Sequence, residues 1–249
     1  MCVIILAIGQ SRIDAETIER ATAWNDDGIG IAWRHKGAVR WRKGLTNAQA
    51  LRLCNVLPRP YAFHARMATV GGTCAALTHP FPVQPDPNIA TDGEAESVLF
   101  HNGHVSDWRL IATASGADLA DGQWSDSRAI AHAVAMSGPA LLDELRGSNR
   151  FLLFGAKQGR MFGSWRRVGG LFFSSEIPTR GMLEMRRQYE TLRERMGPQP
   201  STLVPVSRLN TETGAWETTY VERATPEQGT DVYEANPEWD MMRDRMGGE

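Results

Sequence analysis

Residues 3–8 read Val-Ile-Ile-Leu-Ala-Ile without a polar interruption, and four of the six are β-branched. A strand with one face in water alternates polar and apolar side chains, so a strand with no polar member is covered on both faces. Whatever this chain folds into must stack layers on either side of its first strand. Other readings of such a run fail on its flanks. No basic residue precedes it, Gly9 and "QSRIDAETIER" follow it, and no small-residue cleavage site intervenes. No stretch approaches the roughly 18 apolar residues that a bilayer crossing needs. A cytoplasmic protein without membrane association is expected.

The remaining sequence supplies the covering layers. "DAETIERATAW" reads as a helix with Asp14 as N-cap and Ile13, Ile18 and Ala21 on one face. "GIGIAWRH" and "AVRWRK" read as a hairpin about His35-Lys36-Gly37, and "TNAQALRLCNVL" as a helix stopped by Pro58. "YAFHARMAT" alternates as a strand and runs into a Gly-Gly-Thr loop; a proline-rich connection follows over 79–97. "SVLFHNG" is a strand ending at an Asn-Gly turn. Helices are predicted near 106–115, near 126–136 and over "GPALLDELRG", followed by three short strands, "RFLLFGA", "GRMFGSW" and "GGLFFSS". From 179 to 196, Met182, Met185, Tyr189, Leu192 and Met196 repeat at helical spacing, a stripe expected to pack on the sheet. "STLVPVSRL" and "WETTYV" pair around "NTETG", and the polar, acidic stretch from 223 reads as a flexible tail. Sheets covered by helices, an α+β arrangement, account for this order.

Composition excludes several functions. A net charge of −2, with arginines scattered among acids, leaves no electrostatic footprint for nucleic acid. Cys2, Cys54 and Cys74 form neither a disulfide framework nor a zinc knuckle, and fit a reducing compartment. His101 and His104, with His64 and His79, would be the only zinc candidates. The Asn-Gly break between the first two spoils a helical ligand pair and no acidic partner is spaced for them. No metal and no cofactor is expected.

Four groups carry chemistry instead. Removal of Met1 would leave Cys2 with a free α-amine of pKa about 7.7–8.0, able to take the proton of its own thiol. Asn102-Gly103, at the end of an apolar strand, offers a side-chain NH2 and a backbone N–H that can converge on one oxyanion. Arg66, just before a glycine-rich loop, suits a substrate carboxylate. Asp126, at a helix start, can cap that helix or hold a substrate ammonium. Each has an unremarkable alternative: an inert buried cysteine, a plain turn, a surface salt bridge, a cap. Together they describe one ligand, an α-amino acid with a side-chain amide, which is glutamine.

The ordered motifs "MC", "NDDGIGIAW", "HARMAT", "THPF", "HNG" and "SDS" resemble the glutaminase domain of class II glutamine amidotransferases, within the N-terminal nucleophile hydrolases. The stand-alone branch of that family is the nearest. The resemblance implies a four-layer αββα sandwich of two antiparallel sheets, with residues 2–222 as one glutaminase-like domain and 223–249 as the tail. It implies Cys2 as nucleophile with its own amine as base, and Asn102 and Gly103 as oxyanion hole. It also implies Arg66 and Asp126 on the glutamine carboxylate and amine, Thr69 in a loop covering the substrate, and Asn25 near the catalytic amine. Val3 and Val70 depart from it, where members carry glycine and histidine.

The implied reaction is cleavage of glutamine, or a related γ-glutamyl amide, through a Cys2 thioester. The ammonia would pass to a separate acceptor protein or to solvent; the 179–196 stripe and the tail are the candidate contacts. A homo-oligomer is left open. The alternative is a catalytically idle subunit of the same fold kept for binding.

Overall fold

A computed structural model of the chain describes residues 2–68, 73–120, 123–196, 203–209 and 216–222. It comprises two compact units, residues 1–187 and 188–249. In the first, strand β1 (Val3–Ala7) is buried at every position, as its unbroken apolar run demands. It lies inside a seven-stranded sheet with β2 (Ile29–His35), β3 (Ala38–Leu45), β4 (Tyr61–Ala65), β6 (Asp92–Ala95), β10 (Arg166–Val168) and β11 (Leu171–Phe173). The strand order is β10-β11-β1-β4-β2-β3-β6, with every neighbouring pair antiparallel. A second antiparallel sheet holds β5 (Phe81–Pro82), β7 (Ser97–Asn102), β8 (Arg150–Gly155) and β9 (Gly159–Phe162) in the order β5-β7-β8-β9.

The period-2 direction of side chains sorts the core into three slabs. From β1, Val3, Ile5 and Ala7 point one way, with Ile29, Ile31 and Trp33 of β2 and Tyr61 and Phe63 of β4. They meet Ile18 and Ala21 of helix α1 (Ala15–Thr22) and Ala50 and Cys54 of helix α2 (Asn47–Val56). Ile4 and Leu6 point the other way, and with Ala32, Trp41 and Ala62 they pack on Val98, Phe100, Leu152 and Phe154 of the second sheet. The opposite face of that sheet, Phe81, Leu99, Phe151 and Phe162, is covered by helices α3 (Trp108–Ala114), α4 (Asp126–Ser137) and α5 (Leu141–Glu144). The unit is therefore an α+β, four-layer αββα sandwich of two antiparallel sheets, the expected fold class. Fully burying one large apolar side chain contributes about 1.5–3 kcal/mol, so the three slabs dominate its stability.

Local signals set the boundaries. Asp14 caps α1 by accepting the Thr17 N–H at 2.8 Å. Thr46 and Gln49 close a capping box on α2, satisfying two N-terminal amides at once. Lys36-Gly37 makes the β2–β3 turn, both residues at positive φ.

Four departures have physical reasons. β5 and β6 lie inside the proline-rich connection: β5 is two residues long, too short to alternate, and β6 is a polar edge strand held partly by Arg40–Glu94 at 2.8 Å. β10 is a three-residue exposed edge beside β11. The "GPALLDELRG" helix shrinks to the four residues of α5. Helix α6 (Arg180–Met196) forms as spaced, but its stripe is not a packing face. Met182, Met185, Tyr189 and Leu192 are 43–68% exposed, while Leu183, which is not part of that stripe, is buried. Polar contacts, Arg186 to the Ala23 carbonyl and Arg187 to Glu19, hold its first turns against α1.

In the second unit β12 (Leu203–Leu209) pairs antiparallel with β13 (Trp216–Glu222), the expected late hairpin. Its "NTETG" turn, the 223–249 tail, Thr69 and Val70 lie outside the described residues. Among the described residues no helix is long and apolar enough to cross a membrane.

Candidate active site

Sheet register brings the candidate residues to one end of the sandwich. Val3 pairs with Ala65, so Cys2 and Arg66 lie just beyond paired ends of β1 and β4. Asn102 closes β7 in the other sheet, and Asp126 opens α4 above it. Cys2, Arg66, Gly103 and Asp126 line one cavity, with Met67, Leu77, His79, His101, Ser125 and Ser127 completing its wall. About 20 Å³ of it is open to the centre of a water-sized molecule, room for about one water.

The Cys2 Sγ lies 3.4 Å from both the amide nitrogen and the carbonyl oxygen of Met67. Burial raises its pKa above the ordinary thiol value; the Met67 backbone and the Arg66 guanidinium pull the other way without cancelling that. The resting sulfur is thus a protonated thiol and needs a base to react. The Cys2 carbonyl accepts the Ser175 hydroxyl at 3.0 Å.

Arg66 is almost fully buried, and the "DDGIG" element holds its backbone. Its N–H donates to the Gly28 carbonyl at 2.9 Å, and its carbonyl accepts the Asp27 N–H at 3.1 Å. The Asp27 carboxylate then takes the Ala68 N–H at 2.7 Å. Gly30 serves the far side of the same crossing. A Cβ there would collide with the His79 carbonyl, so only glycine lets the "THPF" segment pass over β2.

Asp126 does not cap α4. Ser125 does, accepting the Arg128 N–H at 3.2 Å, and Asp126 is the first helical residue. Its Oδ1 accepts the Ser127 N–H at 2.8 Å and its Oδ2 the Val105 N–H at 3.3 Å. His101 stands 3.7 Å from the same carboxylate, its ring nitrogens 3.0 Å from Ser127 Oγ and Asn149 Oδ1. Burial lowers the His101 pKa and keeps the ring neutral. His79 and His64 behind it are in contact, with ring centroids 4.1 Å apart and the ring planes tilted by 37°. Burial pushes His64 down to about 3 and His79 well below its ordinary value.

Gly103 has φ +148°, and a Cβ there would meet the Asn149 side chain. Asn102 is buried beside it; its Nδ2 lies 2.9 Å from Ser174 Oγ and its Oδ1 has no partner among the described residues. Asn25 is also buried, donating to the Ala21 carbonyl at 2.8 Å, and does not line the cavity. The structure thus gathers four predicted residues around one space, sets Asn102 next to it and leaves Asn25 outside.

Sequence reasoning missed Asp27, Ser127, Ser174 and Ser175. Asp27 and Ser127 stand inside motifs already singled out, so their adjacency was a usable signal. The two serines act on residues about 170 positions away, and nothing local marks them.

A thiol, a guanidinium, a carboxylate and a glycine amide around one small polar space suit an amino acid zwitterion with an electrophilic side chain. No protein-family model matches the sequence, and no curated protein does. Among the solved structures to which the chain is similar are one titled structure of the allosteric regulatory enzyme of purine biosynthesis and glutamine phosphoribosylpyrophosphate amidotransferase from B. subtilis complexed with ADP and GMP. Each is 16% identical and matches 70% of this chain, with TM-scores of 0.46 and 0.47. The match covers 41% of either of those chains, less than half of their length.

Proposed function

We propose that this chain is a class II glutamine amidotransferase-type amidohydrolase that cleaves the side-chain amide of glutamine, or of a related γ-glutamyl compound, on Cys2. The observation that carries the reading is the convergence of Cys2, Arg66, Gly103 and Asp126, from four separate segments, on one cavity. Arg66 binds the α-carboxylate and Asp126 the α-ammonium, which fixes the side-chain carbonyl carbon at the sulfur. The Cys2 α-amine, free once Met1 is removed, takes the thiol proton. The thiolate attacks the carbon, and the carbonyl oxygen gains its charge against Gly103 N–H and the Asn102 amide. The Cys2 ammonium protonates the departing nitrogen, and ammonia leaves a thioester. The amine then deprotonates a water that attacks this thioester, freeing glutamate and the thiol. Three free cysteines suit a reducing compartment. A separate protein receives the ammonia, or solvent does.

The test uses a glutamine-like chloroketone and mass spectrometry of the full chain. The chain is expected to have lost Met1 and to gain one adduct on the Cys2 peptide, with glutamate released from glutamine by wild type and not by Cys2→Ala. Met1 retained, or glutamate release equal in both proteins, would overturn the proposal.

A further inference from the structure

The hydroxyl of Ser174, which immediately follows β11, ties together the two halves of the site. Ser174 is 3% exposed. Its backbone N–H continues the β1–β11 ladder by donating to the Ile4 carbonyl at 3.0 Å. The return bond of that pair goes to the side chain, because the Ile4 N–H donates to Ser174 Oγ at 2.8 Å. The same oxygen lies 2.9 Å from the Asn102 amide at the end of β7. One buried hydroxyl therefore bridges the sheet that begins with Cys2 and the sheet that ends with Asn102-Gly103.

Two orientations of the Asn102 amide are compatible with this bridge. The Ile4 N–H is a fixed donor, so the hydroxyl's own hydrogen points elsewhere. With Nδ2 toward Ser174, that hydrogen has no role in the bridge and Asn102 Oδ1 is a buried acceptor without a partner among the described residues. A half-turn of the amide, which exchanges two nearly isosteric ends, lets the hydroxyl donate to Oδ1. The NH2 then takes the unpartnered end.

We propose that Ser174 is a positioning residue that holds the Asn102 amide with its NH2 presented to the developing oxyanion. This rests on the glutaminase reading above. Ser174 bonds Asn102 and the Ile4 N–H and reaches neither of the groups assigned to the substrate's α-carboxylate and α-ammonium, so its effect falls on turnover and not on binding.

The test compares Ser174→Thr with Ser174→Val, side chains of one shape that differ by the hydroxyl, in the full chain. Ser174→Thr is expected within about threefold of wild-type kcat. Ser174→Val is expected to lose roughly 10–100-fold in kcat with KM within about twofold, part of the ~100–1000-fold that removing a whole oxyanion donor costs. Adding Asn102→Ala to Ser174→Val is expected to lower kcat no further than Asn102→Ala alone. Equal kcat for the Thr and Val variants, or losses that multiply in the double variant, would refute the role of Ser174 while wild-type labelling of Cys2 still stands. Failure of wild type to take the chloroketone removes the glutaminase reading, and this inference with it.

Discussion

Gly103→Ala is the most informative single substitution, because one atom added there acts on conformation, packing and chemistry. The residue has φ +148°, a region that costs a non-glycine residue about 1–3 kcal/mol. The new Cβ would also overlap Asn149 Oδ1 and stand 2.9 Å from its Cγ and 3.1 Å from its Cα. Asn149 has little freedom to retreat. Its Nδ2 donates to the Leu145 carbonyl at 2.9 Å, and its Oδ1 faces the His101 ring at 3.0 Å. Losing the His101 contact adds about 0.5–1.5 kcal/mol, for a total near 2–4 kcal/mol. In a unit of this size each kcal/mol lowers Tm by about 2–4 °C, so a fall of roughly 4–16 °C is expected by calorimetry. Gly9→Ala is the control. Gly9 also has positive φ, +59°, but open space around the missing Cβ, so only conformational strain remains and the fall should be roughly 2–4 °C. Turnover should separate the two further: shifting the Gly103 N–H from the oxyanion should lower kcat by about 100-fold, and Gly9→Ala should leave it unchanged. Equal Tm shifts would refute the packing argument. A Gly103→Ala enzyme with wild-type kcat would refute the oxyanion assignment.

Two other perturbations probe the surroundings. His64 and His79 bind protons readily only when unfolded, so the unfolded state gains them first as pH falls below about 6.5. Stability should therefore drop by about 1.4 kcal/mol per pH unit for each ring, continuing to about pH 3 for His64. Urea midpoints from pH 8 to 5 should show this slope and His64→Leu should reduce it; a flat profile in wild type would refute the burial argument. Asp27→Ala removes the acceptor of the Ala68 N–H beside Arg66, a charged hydrogen bond of about 1.5–3 kcal/mol. KM for glutamine should rise about tenfold or more, with Asp27→Asn intermediate, and an unchanged KM would show that Asp27 does not position Arg66.

What was legible in the sequence divides by the range of the interactions. The unbroken run of β1 required cover on both faces, and Asp14, Thr46 and Pro58 marked helix ends within a few residues of themselves. Hence α1, α2, the β2–β3 hairpin and β7 could be read directly. β5, β6 and β10 could not, since each is two to four residues long and exists only through pairing with a distant strand. The α6 stripe was misjudged for a related reason. Periodicity shows that a helix has an apolar side, and it does not show which side meets the protein. The site divides in the same way. Cys2, Arg66, Gly103 and Asp126, which share one cavity, stood out as candidates because their side chains or backbone carry distinctive chemistry at the ends of recognisable elements. Ser174 was not, since a serine after "LFF" has many ordinary uses, and its importance comes from sheet pairing that sets it against Ile4 and Asn102. Distinctive reactive groups announce themselves in a sequence, while the hydroxyls and amides that aim them become visible only when the fold closes.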